Sequence, residues 1–431
     1  MTEAFDLPQS PSRQSWLEER LVPLCLHHPG LSGIHPLSDG LDAFAARYLL
    51  MEKAAKTLDI QYYIWQNDMS GRLLFSAMLE AANRGVIVRL LLDDNNTPGL
   101  DDTLAQLNHH PNITVRLFNP FSFRTLRALG YLTDFARLNR RMHNKSFTAD
   151  GVTTVVGGRN IGDEYFGTGN EPLFADLDVL AIGSVVNEVA EDFERYWNSK
   201  PVSPLSEVLD QPMSAHPDVA LPPEWRESET VQHYLQRLNK SSLIDQLTQD
   251  DLPFVWAKTR LLSDDPRKGL GKARRKSLLP QRMMEVIGAP QHQFDIISAY
   301  FVPTRAGVAQ LLAMKRKGVK IAVLTNSLAA NDVSIVHAGY AKWRKKLLRH
   351  GISLFELKPQ AGLNDTPHDR GLTGNSGSSL HAKTFSVDEK ILFIGSFNFD
   401  PRSAVLNTEM GLVIESEKLA AETHQRFSDS M

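Results

Sequence analysis

The chain has 431 residues, 42% hydrophobic and 23% charged, with a formal net charge of −3, which provides material for two domains and argues against a nucleic-acid packaging protein. Its one cysteine, Cys25, cannot close an internal disulfide, and no thiol cluster offers a zinc site, so no metal and no cofactor is expected. The opening MTEAFDLPQS has no basic n-region with an apolar run, and no apolar segment reaches about 18 residues, so a signal peptide and membrane spanning are both disfavoured.

In chain order, residues 1–35 read as an irregular N-terminal extension, with Pro8, Pro11, Pro23, Pro29 and Gly30 interrupting any long helix. Asp42 to Leu58 is rich in helix formers, and Leu58 to Trp65 reads as a strand of β-branched and aromatic residues. Leu73, Leu74, Ala77, Met78, Ala81 and Ala82 then recur at helical spacing, with Gly85 as the stop, and Val86 to Leu92 is a second strand ending on Asp93-Asp94. The order β-α-β predicts a mostly parallel sheet covered by helices. The same grammar returns from Phe294 to Leu324, with Asp59 matching Asp295 at an offset of 236 and Gly85 matching Gly318 at 233. Between these halves, residues 201–230 hold six prolines and six acidic residues against one base, Arg226. The expected layout is therefore α/β: a first domain over 36–200, a Pro-rich acidic linker over 201–224, and a second domain over 225–431, related by pseudo-twofold symmetry.

One stretch occurs in both halves. His143, Lys145, Asp150, Gly157, Gly158 and Asn160 are matched by His381, Lys383, Asp388, Gly395, Ser396 and Asn398, each 238 residues later. In a strand, residues i and i+2 share a face, so each His projects beside its Lys. A neutral imidazole is a nucleophile near neutral pH, an imidazolium is an acid there, and two lysines supply fixed charge for phosphate oxygens. Nucleophile and acid must stand on opposite sides of phosphorus, so one half-site is incomplete and two facing halves make one site.

This doubled pattern resembles the phospholipase D superfamily, whose members form and break a phosphohistidine without metal. Phe174-Ala175-Asp176-Leu177-Asp178 and Phe397-Asn398-Phe399-Asp400-Pro401-Arg402-Ser403, with Asn407-Thr408-Glu409, are similar to the bacterial cardiolipin synthases, most of all the cardiolipin synthase C branch. The resemblance runs from about Leu41 to Glu415. It implies tandem phospholipase D-like α/β/α domains and transfer of a phosphatidyl group from phosphatidylethanolamine, or phosphatidylglycerol, to phosphatidylglycerol. His143 would be the nucleophile and His381 the acid and later the base, although the residues themselves leave the order open. Lys145 and Lys383 would hold the phosphate, assisted by Asn160 and Asn398, which fit a turn role equally well. Asp176 and Glu409 match in register and would fix the histidine tautomers. Asp150 and Asp388 belong to the catalytic signature but lie four residues beyond a strand's reacting end, where a structural role is the better expectation.

Two segments suggest an anionic membrane surface as partner. Arg116 to Lys145 carries seven bases against Asp134 and interleaves Phe118, Phe121, Phe123, Leu126, Leu129, Tyr131 and Leu132; residues 267–276 carry six bases. Peripheral attachment to the cytoplasmic face of a bacterial inner membrane follows, with no nucleic acid expected. The rival readings are a hydrolase or nuclease of the same superfamily, and an inactive lipid-binding scaffold, which two complete His/Lys pairs disfavour. Asp93-Asp94 reads as a strand-end loop without a role.

Overall fold

A computed structural model describes residues 15–431 apart from 123, 125–126, 168–174, 210–224, 226–227, 240, 250, 331–333, 358–379 and 430–431. Phe123, Leu126 and Phe174, and most of the Pro-rich stretch, lie outside the described residues.

In the first half, β1 (Ser32–Leu37) is followed by β2 (Thr57–Tyr62), β3 (Ile87–Asp93) and β4 (Ile113–Phe118), the last three parallel and joined by helices Met69–Asn83 and Asp101–His109. The first of these helices starts where the Asp68 side chain accepts the Gly71 N–H and is followed by Gly85 at φ 99°. Next, β5 (Ser146–Ala149), β6 (Thr153–Gly157) and β7 (Asp178–Gly183) pair antiparallel, and β8 (Val202–Pro204) closes the edge on β4. The second half repeats this: β9 (Val255–Ser263), then parallel β10 (Gln293–Ser298), β11 (Lys320–Asn326) and β12 (Ser353–Leu357), then antiparallel β13 (Lys383–Val387), β14 (Ile391–Gly395) and β15 (Met410–Glu415). Helices Arg305–Arg316 and Ser334–Arg349 connect its parallel strands.

Strands β1 and β9 pair with each other, so the halves fuse into one 15-stranded sheet. Among the described residues the sheet is mixed and not mostly parallel: four pairings are parallel and ten antiparallel. Only a strand followed by a crossover helix can return parallel, whereas the tight turn at Asp150-Gly151 forces a hairpin.

Three expected boundaries shift. Trp16–Leu26 is a helix despite Pro23, because Ser15 caps it and Leu17 and Leu21, one turn apart, are buried in the first core; with β1 it replaces an irregular extension. Val202–Pro204 is an edge strand and no part of a linker. Helices Glu229–Asn239 and Ser242–Thr248 pack Tyr234, Leu238, Leu243 and Leu247 into the first half's core, so the second half's own packing begins after them and not at 225. A separate core links the halves: Ile34, Val156, Val179 and Val185 meet Leu392, Met410, Leu412 and Ile414. Burial of this kind, at about 25 cal/mol per Å2, holds the two half-sites in fixed register.

Candidate active site

The catalytic-signature strands begin where the parallel strands end. Ser146 at the start of β5 is opposite Gln61 near the end of β2, and Lys383 at the start of β13 is opposite Ser298 at the end of β10. His143, Lys145, His381 and Lys383 therefore meet at one end of the sheet.

Each entry segment is pinned by the other half. The His143 N–H donates to Thr408 O at 2.9 Å, and the His381 N–H donates to Ala175 O at 2.8 Å. These bonds carry the carboxylates across: Glu409 Oε2 lies 2.8 Å from His143 Nδ1, and Asp176 Oδ2 lies 2.5 Å from His381 Nδ1. The crossing explains the motif glycines, since a Cβ on Gly158 would collide with the Asp176 carboxylate and one on Gly395 with Met410 O. With Nδ1–H donated to a carboxylate, each Nε2 keeps its lone pair for chemistry.

The lysines are buried beside their histidines. Lys145 Nζ donates to His143 O at 2.6 Å, Lys383 Nζ donates to His381 O, and Lys383 Nζ is also 3.1 Å from His381 Nδ1. Burial lowers the His143 pKa to about 4 against the pull of Glu409, and burial with the Lys383 charge lowers His381 to about 3. Both shifts favour the neutral imidazole. Burial lowers Lys145 to about 7, with the Lys383 charge adding to the effect. Asp176 is held well below the usual carboxylate range by His381 and Lys383, which outweigh its burial, and Glu409 is lowered by His143 and Lys145. Each histidine thus feels both lysines, so the four groups form one electrostatic unit.

The asparagines serve the backbone. Asn160 Oδ1 accepts the Ile64 N–H at 3.3 Å, Asn398 Oδ1 accepts the Tyr300 N–H at 3.3 Å, and Asn160 Nδ2 donates to Tyr165 Oη at 3.0 Å. Asp150 and Asp388 are not at the reacting centre. In left-handed turns at φ 50° and 53°, they sit at the far ends of β5 and β13. Asp150 collects the Ala55, Lys56 and Thr57 N–H groups and the Ser15 hydroxyl; Asp388 collects the Gln291, His292 and Gln293 N–H groups. These backbone donors keep the Asp388 carboxyl low although burial raises it. The signature aspartate is a clamp on the start of the neighbouring strand.

Several contacts escaped the sequence reading. Ser396 donates to Glu409 Oε2 at 2.5 Å, standing where the first copy has Gly158, and that mismatch between copies was its signal. Tyr63 and Tyr165 present their rings edge-on to His143 and His381, with centroids 4.8 and 5.1 Å away. Asp93, read as loop, accepts the Met142 N–H at 2.7 Å and the Arg141 guanidinium at 2.9 Å, fixing the residue before His143. Asp264 Oδ2 accepts the Glu409 N–H at 2.9 Å and pairs with Lys268 at 2.8 Å.

The first basic segment is also less exposed than expected. Arg124 is paired with Asp94 and Asp101, Arg141 with Asp93, and Arg116 donates to Trp197 O. In the 267–276 stretch Pro266–Leu270 is a 310 turn whose Lys268 is buried and also donates to Ser403 O at 2.8 Å, while Arg267, Lys272, Arg274, Arg275 and Lys276 are exposed as expected.

Two copies of a His-x-Lys strand, exchanging carboxylates around one site in a fused α/β sheet, define a phospholipase D-type protein. The family model described as "Cardiolipin synthase, PLD-like domain" matches residues 49–197 and 283–431, and the chain belongs to that family. It is 67% identical to cardiolipin synthase C of Escherichia coli (strain K12), over 96% of this chain and 88% of that protein. It is 26% identical to cardiolipin synthase A of Pseudomonas syringae pv. syringae (strain B728a), over 91% of this chain and 68% of that one. The phosphatidylserine synthase structure from Haemophilus influenzae Rd KW20 aligns with TM-score 0.59 at 16% identity, covering 96% of this chain and 90% of its own, a likeness of fold.

Proposed function

We propose that the protein is a cardiolipin synthase that transfers the phosphatidyl group of phosphatidylethanolamine to phosphatidylglycerol through a phosphohistidine. The carrying observation is the pair of imidazoles, each aligned by a carboxylate from the opposite half and each beside a buried lysine. His143 Nε2 attacks phosphorus, and the His381 imidazolium gives its Nε2 proton to the departing ethanolamine oxygen. Lys145 and Lys383 stabilise the non-bridging oxygens, whose charge also favours the proton on His381. The now neutral His381 takes the proton from the primary hydroxyl of phosphatidylglycerol as that oxygen attacks phosphorus and the P–N bond to His143 breaks. Asn160 and Asn398 act by shaping the strand-end turns.

The lipid reaches this site from a bilayer. No helix among the described residues is long and apolar enough to cross a membrane. At the sheet end that holds the histidines, Leu132 is 82% exposed, Leu328 60%, Val405 59% and Phe135 58%. They lie on three segments that leave or enter strands there, and Arg402 ties two of those segments by donating to Asn139 Oδ1 at 2.6 Å. Apolar side chains of this exposure around a lipid site support peripheral docking, at the cytoplasmic face of the inner membrane. The test is purified protein with both lipids in vesicles. Cardiolipin with free ethanolamine is the expected outcome; cardiolipin with glycerol alone corrects the donor, and phosphatidic acid as sole product makes the protein a hydrolase.

A further inference from the structure

We propose that a pocket in the second half is a second phosphate subsite, holding the acceptor lipid's own phosphodiester while its headgroup hydroxyl approaches the phosphohistidine. It deepens the transferase reading above and rests on it. The pocket, of about 440 Å3, is walled by Val302, Arg305, Gly339, Lys342, Trp343 and Pro401. Its wall is bonded to the site: the Val302 N–H donates to Phe399 O at 2.8 Å, and Phe399 follows Asn398. It is therefore built on the segments that leave β10 and β14 at the end of the sheet where the histidines meet.

The walls carry charge that the fold does not neutralise. Arg305 and Lys342 are exposed and make no ion pair among the described residues, unlike the inward-turned Arg124. Lys342 Nζ stands 5.4 Å from the Trp343 ring centroid. Residues 301–350 carry ten Lys and Arg against a single acidic residue, Asp332. The opposite half is not built this way. Offsets of 236 and 238 place Asp68 and Met69 against Thr304 and Arg305, and Asp163 and Glu164 against Pro401 and Arg402. There the Asp163 N–H donates to Asp68 Oδ2 at 2.7 Å, and Gln66 Nε2 donates to Glu164 Oε1 at 3.1 Å. A feature needed only to build the repeat would recur in both halves. The first half is acidic at these positions and the second half is not.

The reaction gives such a pocket a purpose. Its product bears two phosphodiesters on one glycerol, and the His/Lys centre holds one of them. The second anion must come close to the first, and without a cation of its own it would be repelled. A guanidinium and an ammonium over an apolar floor suit a phosphodiester joined to glycerol carbons.

The test uses the full chain with Arg305→Gln and Lys342→Gln combined, neither residue being in the His/Lys centre. The KM for phosphatidylglycerol should rise about tenfold, product should shift from cardiolipin toward phosphatidic acid, and phosphatidic acid formation without acceptor should stay at its original rate. Arg305→Lys alone should retain most of the wild-type KM. An unchanged KM and an unchanged product ratio overturn the proposal. If wild-type protein makes no cardiolipin, the transferase reading fails, and equilibrium binding of dihexanoyl phosphatidylglycerol still tests the pocket: loss of binding in the double variant supports it, and equal binding sinks it. Competition by inorganic phosphate at the same concentration as the lipid would mark a general anion site and also overturn it.

Discussion

Asp176 Oδ2 lies 2.5 Å from His381 Nδ1, although the two residues belong to different copies of the repeat. Glu409 holds His143 by the reciprocal contact at 2.8 Å. Neither copy contains a complete catalytic unit: each owns an imidazole and a lysine but borrows the group that sets the imidazole's tautomer. Asp176→Asn and Glu409→Gln keep the shape and remove the charge, and each should lower turnover by about 100-fold with little change in KM. Steady-state kinetics with an unfolding curve checks this; a change in KM alone would assign the carboxylates to substrate binding.

His143→Ala and His381→Ala should each abolish transfer while leaving the fold intact. Rapid quench with labelled lipid should find phosphohistidine at His143 in the wild type and, where the leaving group needs little protonation, trapped label in His381→Ala. Label at His381 in the wild type would reverse the assignment. Chelator should leave the rate unchanged, and a large loss would sink the metal-free mechanism.

Lys145 makes anion binding pH-dependent. Its pKa in the empty site is about 7, because burial opposes the charge. An adjacent phosphate raises it, so above pH 7 the occupied site binds more protons than the empty one and binding takes up a proton. Affinity for dihexanoyl phosphatidylglycerol, whose phosphodiester does not titrate in this range, should fall as pH rises from about 7 to 9, and calorimetry at about pH 8 in two buffers of different ionisation enthalpy should register the uptake. A flat affinity over that range would refute the assignment.

Asp150 and Asp388 should matter for stability more than for chemistry. Asp150→Ala strands three backbone N–H groups and the Ser15 hydroxyl, and should cost about 3 kcal/mol in urea unfolding. Asp388 clamps an equivalent but more open turn, and Asp388→Ala should cost less. Folded protein of either variant should keep most of its turnover; inactivity without loss of stability would place these carboxylates in the reaction.

Leu132→Glu with Phe135→Glu should weaken sedimentation with phosphatidylglycerol vesicles several-fold, whereas Arg124→Gln should change vesicle binding little because its guanidinium is committed to Asp94 and Asp101. Unchanged sedimentation of the double glutamate variant would move the docking face elsewhere.

The repeat made legible the histidines and lysines that the fold brings together at one end of the sheet, because constant spacing of His, Lys, Asp, Gly and Asn survives where a lone His-x-Lys would be noise. Asp176 and Glu409 fall at an offset of 233, outside that constant spacing, and are matched by strand pairing, Gly157 lying opposite Asp178 and Gly395 opposite Gly411. What spacing could not reveal is which histidine each serves, since the offset matches equivalent residues of the two copies and the contacts join non-equivalent ones. Charge counting failed over Arg116–Lys145 because Arg124 and Arg141 find partners in Asp93, Asp94 and Asp101, which a local window excludes. Pro23 misled because two buried leucines outweigh its missing N–H.

The exchange of carboxylates bears on ancestry. A chain with one copy of this unit would present an imidazole with no carboxylate at its Nδ1, so it could work only by pairing with an identical neighbour, each lending the other its acid. Duplication within one gene removes that dependence on concentration and frees the halves to diverge, as Asp176 against Glu409, Gly158 against Ser396 and Glu164 against Arg402 have done. A symmetric dimer offers two equivalent sides to its substrates; a fused and diverged pair can tell donor from acceptor.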